Sequence, residues 1–216
     1  VIAVGSYRRA LRASLARLIE NALDWEHLPH LHSSSFSAID LIEADDAGWA
    51  ADVDLPGGGH VRIELRLDAD RLGWVTTTLR DGVPLSRIDS RAESTGAESC
   101  AVSVVFHVAE AAPETRDAIG AYFASLYARL YDEDETMMMA RATALRSGPA
   151  ALKARRTVTL SNGEAIEIPL ACPHLGLPLE AEPDGDDIVQ CPWHGYRFDA
   201  RTGRCVSGQT CGWASA

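Results

Sequence analysis

The sequence predicts an α+β chain: an antiparallel sheet of about five or six strands, one long helix after it, and a small turn-rich unit at the C-terminal end. Three observations carry this expectation. Between about 36 and 107, apolar residues alternate or run in short blocks (VRIELRLDAD, CAVSVVFHVAE), separated by turn signals: PGGG at 56–59, DADRLG at 68–73 and DGVP at 81–84. From Pro113 the apolar period becomes helical, through Ile119, Phe123, Leu126, Leu130 and Met137. Beyond RSGPAALKARR, at 146–156, the strand-like pieces are short (TVTL, EAIEI, DIVQC) and turns are many.

Each element has a local reason. Residues 7–23 read as an amphipathic helix, with Leu11, Leu15, Leu18, Ile19, Ala22 and Leu23 at helical spacing and Arg8, Arg9, Arg12 and Arg17 mostly off that face. Pro29 marks its end or a kink. Pro113 suits a first helical turn, and Glu114 and Asp117 lie near the positive end of the helix it opens. The expected division is a first domain over 1–146, a linker over 147–154 and a second domain over 155–216.

Composition narrows the function classes. Thirty-one acidic residues against twenty basic, a net charge of −11, leave no basic footprint for nucleic acid. No apolar run approaches the roughly 20 residues that span a bilayer, and the apolar patch precedes the arginines in VIAVGSYRRALRASL, so a cytoplasmic protein without membrane attachment is expected. Five cysteines, an odd number unevenly spread, suggest metal ligation rather than a disulfide framework.

The segment ACPHLGLPLEAEPDGDDIVQCPWHGYRFDARTGRC holds Cys172-x-His174 and, after sixteen residues, Cys191-x-x-His194. Two tight pairs, each with one thiolate and one imidazole, can hold a metal centre. Structural zinc sites favour Cys-x₂₋₄-Cys or His-x₃₋₅-His pairs instead. Gly176 and Gly195 allow tight loops whose backbone NH groups approach the ligands. CPHLG, CPWHGYRFD and TGRC together resemble the cluster-binding loops of Rieske [2Fe–2S] proteins. The resemblance implies that Cys172 and Cys191 hold one iron, and His174 and His194 the other. Respiratory Rieske proteins brace the cluster with a disulfide where this chain has Leu177 and Trp193. The resemblance is therefore to the ferredoxin and oxygenase branch, with a potential toward the lower end of about −150 to +300 mV. Cys205 and Cys211 do not fit the ligand spacing, and Cys100 reads as a core residue.

A second cluster lies in ENALDWEHLPHLH, residues 20–32. Two imidazoles and one carboxylate on one face suit an oxygen-activating non-haem iron. His27 and His32 fit the pair, and Asp24, one turn before His27, can support an imidazole NH. The segment resembles the iron-binding stretch of Rieske non-haem iron oxygenases, closest to their monooxygenase and demethylase branch, whose Asn-x₂-Asp-x₂-His-x₄-His pattern is filled by Asn21, Asp24, His27 and His32. The family's aspartate ligand matches Asp134 in LYDEDETMMMA; Glu133 lies on the other edge of the apolar stripe, while Asp132 and Glu135 point away from it.

The resemblance implies a helix-grip (START-like) domain carrying mononuclear Fe(II), followed by a small all-β Rieske domain, the reverse of the family's order. It further implies an external ferredoxin or flavin reductase as electron donor, and O₂ and a small organic, aromatic substrate that is hydroxylated or oxidatively dealkylated. Electrons would pass from His174 or His194 through Asp24 across a subunit boundary, which implies a homo-oligomer, with a trimer favoured. The competing reading is a Rieske electron carrier fused to a ligand-binding helix-grip domain without iron of its own.

Overall fold

The computed structural model describes residues 1–213, apart from the side chains at 149–152. The chain divides into two compact units, Val1–Met138 and Met139 onward.

The first unit opens with β1 (Ile2–Leu11), then α1 (Leu15–Leu23) and the short α2 (Leu28–Leu31). Six strands follow: β2 (Ala38–Asp45), β3 (Gly48–Asp54), β4 (His60–Leu67), β5 (Gly73–Arg80), β6 (Val83–Gly96) and β7 (Ser99–Val108). They form an antiparallel meander joined by short turns, and β1 pairs with β7, giving a seven-stranded sheet of order β1-β7-β6-β5-β4-β3-β2. The turn signals hold. At the β5–β6 hairpin, Asp81 and Gly82 both have positive φ (52° and 77°), as a two-residue turn of this twist requires.

The start of the chain corrects the expectation of a helix over 7–23. Residues through Leu11 are strand, and only Leu15–Leu23 is helix. The arginines follow a strand period: Arg8 pairs with Glu93 on β6, whereas its neighbour Arg9 reaches Asp132 and Glu135 on the long helix. Leu11 belongs to the core through its pairing with Cys100, which continued the helical stripe by coincidence. Pro29 likewise begins an element instead of ending one, sitting in the first turn of α2.

A 3₁₀ turn at Pro113–Thr115 leads into α3 (Arg116–Lys153), which breaks at Gly148 (φ 60°), inside the stretch expected as a linker. Its apolar stripe packs on the sheet through Phe123 and Tyr127, which both contact the Phe106 ring. Gly5 and Gly120 bring strand and helix backbones together: a Cβ on Gly120 would lie 2.1 Å from the Val4 carbonyl oxygen. Helix α1 is held from the other side, where Trp49 Nε1 donates to the Ala22 carbonyl at 3.0 Å.

The second unit contains two small antiparallel pairs, β8 (Arg155–Thr159) with β9 (Ala165–Pro169) and β10 (Ile188–Gln190) with β11 (Arg197–Asp199). Its core gathers Val158, Ile168, Leu179, Val189 and Phe198 around Cys172 and Cys191. The fold is α+β as expected: a helix-grip sheet and helix, then a small β domain.

Candidate metal centres

In the second unit the two cysteine–histidine pairs sit on loops with the same backbone pattern. Cys172 N–H donates to Leu177 O (2.7 Å) and Gly176 N–H to Cys172 O (2.8 Å); Cys191 N–H donates to Tyr196 O (2.8 Å) and Gly195 N–H to Cys191 O (2.9 Å). Both glycines have positive φ, 73° and 67°, so the turn geometry itself requires glycine. The two sulfurs are buried and meet. Their mutual hydrogen bond draws Cys191 toward the thiolate and pushes the Cys172 thiol up, as two thiols sharing one proton must. The rings of His174 and His194 stand 4.7 Å apart at 85°, and both Nδ1 atoms are shut off from solvent. Tyr196 stacks on His174 at 4.4 Å.

None of the five cysteines is in a disulfide among the described residues. In place of a bracing disulfide, Leu177 is buried and Trp193 Nε1 donates to Pro178 O at 3.0 Å, tying one loop to the other. The end of α3 joins in, with Arg141 donating to Leu175 O at 2.6 Å. Cys100 is core, as expected, and Cys205 contacts Ser207 and Gln209 outside the ligand set.

In the first unit, His27 and His32 flank the single turn of α2 and are 3% and 1% exposed. His30, between them in sequence, faces solvent. Asp134 approaches from α3 and is 7% exposed. One of its oxygens, Oδ1, lies 2.9 Å from His32 Nε2 and 3.4 Å from His27 Nε2. Ligand atoms of the three residues lie within 4.8 Å of one another. Each imidazole has a second carboxylate at its other nitrogen: Glu133 Oε2 at 2.6 Å from His32 Nδ1, and Asp24 Oδ2 at 3.6 Å from His27 Nδ1. Glu133, left open against Asp134 by the sequence, thus lies on the far side of His32.

Electrostatics follow from this packing. Burial opposes a charged His27, but Asp134 and Asp24 outweigh it and raise its pKa to about 9. Burial also opposes ionisation of Asp134, and the two histidines overcome it, holding the carboxyl well below its usual range. Glu135 corrects the expectation that it points away. It is buried, accepts the Arg12 backbone N–H at 2.6 Å and Arg9 Nη2 at 3.0 Å, and so pins α3 to the end of β1. Arg9 and Glu135, opposite charges on otherwise apolar faces, were the sequence signal for this clamp.

A cavity of about 670 Å³ opens beside the trio, between α1, α3 and the sheet. Asn21, Asp24, His27, His32 and Asp134 all contribute to its wall. Asn21 is buried, and its Oδ1 has no hydrogen-bond partner among the described residues. The apolar walls, including Trp49 and Trp74, could not be read from strand alternation alone.

Both donor sets fit the groups that the sequence implies. The second unit offers paired thiolates and paired imidazoles; the first offers two imidazoles and a carboxylate oriented by further carboxylates, a borderline set suited to a divalent transition metal.

Residues 138–212 match the Rieske [2Fe-2S] domain family, which implies a [2Fe–2S] cluster there and a role in electron transfer or oxygenation. No curated protein is similar to the chain in sequence. Among solved structures, a START superfamily protein from Mycobacterium smegmatis aligns with a TM-score of 0.50 at 13% identity, over 62% of this chain and 99% of its own. The Zhui aromatase/cyclase from Streptomyces sp. R1128 aligns with a TM-score of 0.50 at 11% identity, over 63% of this chain and 93% of its own. Likeness at such identity is of fold alone. No helix among the described residues is long and apolar enough to cross a membrane.

Proposed function

We propose that the chain is a Rieske non-haem iron oxygenase in which the catalytic domain precedes the Rieske domain. The observation that carries this reading is the convergence of His27, His32 and Asp134 in the wall of a substrate-sized cavity, in a chain that also holds a Rieske domain. Cys172, His174, Cys191 and His194 would hold the [2Fe–2S] cluster, and His27, His32 and Asp134 a mononuclear Fe(II). When bound, the cluster supplies single electrons and the ferrous iron a site for O₂ activation.

The protein's own part is positioning. Glu133 accepts the Nδ1–H of His32 and so leaves its Nε2 lone pair for metal. Asp24 stands 3.6 Å from Nδ1 of His27, near enough to favour a proton there by charge, while the one on Nε2 would give way to metal. Asp134, held ionised, is ready as the anionic ligand at neutral pH. Asp24 is also the residue to which we assign electron entry. The cavity would hold an aromatic substrate against this point and exclude water from it. A ferredoxin or flavin reductase as donor, a homo-oligomer built as a trimer and a cytoplasmic location belong to the same proposal.

Nitric oxide tests the reading directly. Added to anaerobic ferrous protein, it should give the high-spin EPR signal of a non-haem iron nitrosyl, and His27→Ala should lose that signal while keeping the Rieske spectrum. A wild-type protein with a full cluster and no such signal would return the chain to the electron-carrier reading.

A further inference from the structure

Strand registers locate the two ends of the cavity. At one level Trp74 pairs with Ser90, Ser90 with Val104, and Val104 with Tyr7. Tyr7 stacks on Tyr131 of α3, one helical turn before Asp134. At the other level Thr78 pairs with Ser86, Ser86 with Val108, and Val108 with Ile2. Arg80 lies still further out, six residues along β5 from Trp74, or about 20 Å of extended strand. Trp74, Thr76, Thr78 and Arg80 all line the cavity, the alternation of a single strand face. Arg129, which also lines it, reaches Ser35 at 3.2 Å, and Ser37 N–H bonds to the carbonyl of Asp54, at the same end of the sheet as Arg80.

Arg80 on β5 and Arg129 on α3, both exposed at the cavity's outer end, differ from the other arginines of the sheet. Arg62 pairs with Asp52, Arg66 with Glu43 and Asp45, Arg87 with Asp89, and Arg91 with Asp70. Arg80 and Arg129 have no carboxylate partner among the described residues, in a chain with 31 acidic side chains. The two ends of the cavity therefore differ in the charged groups they carry. Asp24 and Asp134 stand at one end, two guanidinium groups without carboxylates at the other, and aromatic and apolar walls with the Thr76, Thr78 and Ser86 hydroxyls lie between. A carboxylate on a ligand would be received at the second end, where a charge-assisted, two-pronged hydrogen bond is available.

We infer, taking the cavity as the substrate site proposed above, that its ligand is an elongated aromatic carboxylate. The carboxylate pairs with Arg80, and the far end of the molecule lies toward His27, His32 and Asp134. The span asks for two linked or fused rings rather than one.

Binding of a matched pair of probes, biphenyl-4-carboxylate and biphenyl-4-carboxamide, tests this on the anaerobic holoprotein through quenching of Trp49 and Trp74. The acid should bind roughly tenfold or more tightly than the amide. Arg80→Gln should bring that ratio near one with the amide's affinity unchanged, and Arg80→Lys should keep part of it; circular dichroism confirms that the variants are folded. An amide that binds as tightly as the acid, an acid preference that survives Arg80→Gln, or no binding of either probe overturns the inference. The measurement needs neither O₂ nor turnover. Acid preference in a protein that gives no nitrosyl signal would remove the oxygenase reading and keep the carboxylate site; a nitrosyl signal without acid preference would do the reverse.

Discussion

The cysteine–histidine site draws Cys172, His174, Cys191 and His194, the ligands we propose for the cluster, from two loops that repeat one backbone hydrogen-bond pattern. The histidine–aspartate site joins His32 to a carboxylate 102 positions away, and helix packing on the sheet brings them together. The first can form wherever its small core folds. The second exists only while α1, α2, α3 and β1 hold their mutual register, through the Gly5–Gly120 approach, the Trp49–Ala22 bond and the Arg9–Glu135 clamp. A local site is robust to distant change, and a long-range site is not.

Ligand substitutions break this comparison most sharply. Cys172→Ser or Cys191→Ser should abolish the visible Rieske absorption and leave the mononuclear iron, whereas Asp134→Ala should lose one iron per chain and all oxygenation with the Rieske spectrum intact. Loss of both centres in either variant, read by metal analysis and spectroscopy, would mean that the two do not assemble independently.

Gly120→Ala touches no ligand and discriminates between the centres by packing alone. Its Cβ would meet the backbone of Val4 at 2.1 Å, which flexible side chains cannot absorb. A loss of about 3 kcal/mol of stability in the first unit is expected, with weakened iron binding at His27, His32 and Asp134. The cluster spectrum should not change. A thermal melt equal to wild type would show that helix and strand tolerate separation.

Legibility in the sequence follows the same division. The Rieske domain, the strand meander and its turns are legible because each rests on local spacing. His27, His32 and Asp134 were readable through a resemblance, with periodicity unable to separate Asp134 from Glu133. Residues one position apart on a helix differ by about 100° in direction, and only the path of α3 over the histidines places one carboxylate at Nε2 and the other at Nδ1. The strand at 7–11 was misread because Leu11 extended a helical stripe that begins in earnest at Leu15. Glu135 reads as pointing away from the apolar stripe because its partner, Arg9, lies on a strand that helix periodicity does not reveal.

Glu133→Gln sharpens the distinction between its role and that of Asp134. An amide oxygen can still accept from His32, so the iron should be retained with affinity reduced about 10- to 100-fold, measured by chelator competition. Complete loss of iron would make Glu133 a ligand.

A smaller effect concerns the iron-free protein. The pKa of His27 rises from 6.5 to about 9 on folding, so its contribution to stability is fully present below pH 6.5 and is lost as pH rises through 9. Asp134, with its pKa lowered from 3.8, contributes above about pH 3.8 and loses that contribution on acidification. Melts of iron-free protein should therefore show a maximum between these limits, and Asp24→Asn should flatten the alkaline decline.

Iron per chain in the purified, cluster-replete protein tests the central claim most directly. Two centres of independent construction require about three irons, two in the cluster and one at His27, His32 and Asp134, falling to about two in His32→Ala with the Rieske spectrum unchanged. A wild-type value of about two under anaerobic ferrous loading, with a full cluster spectrum, would contradict the account.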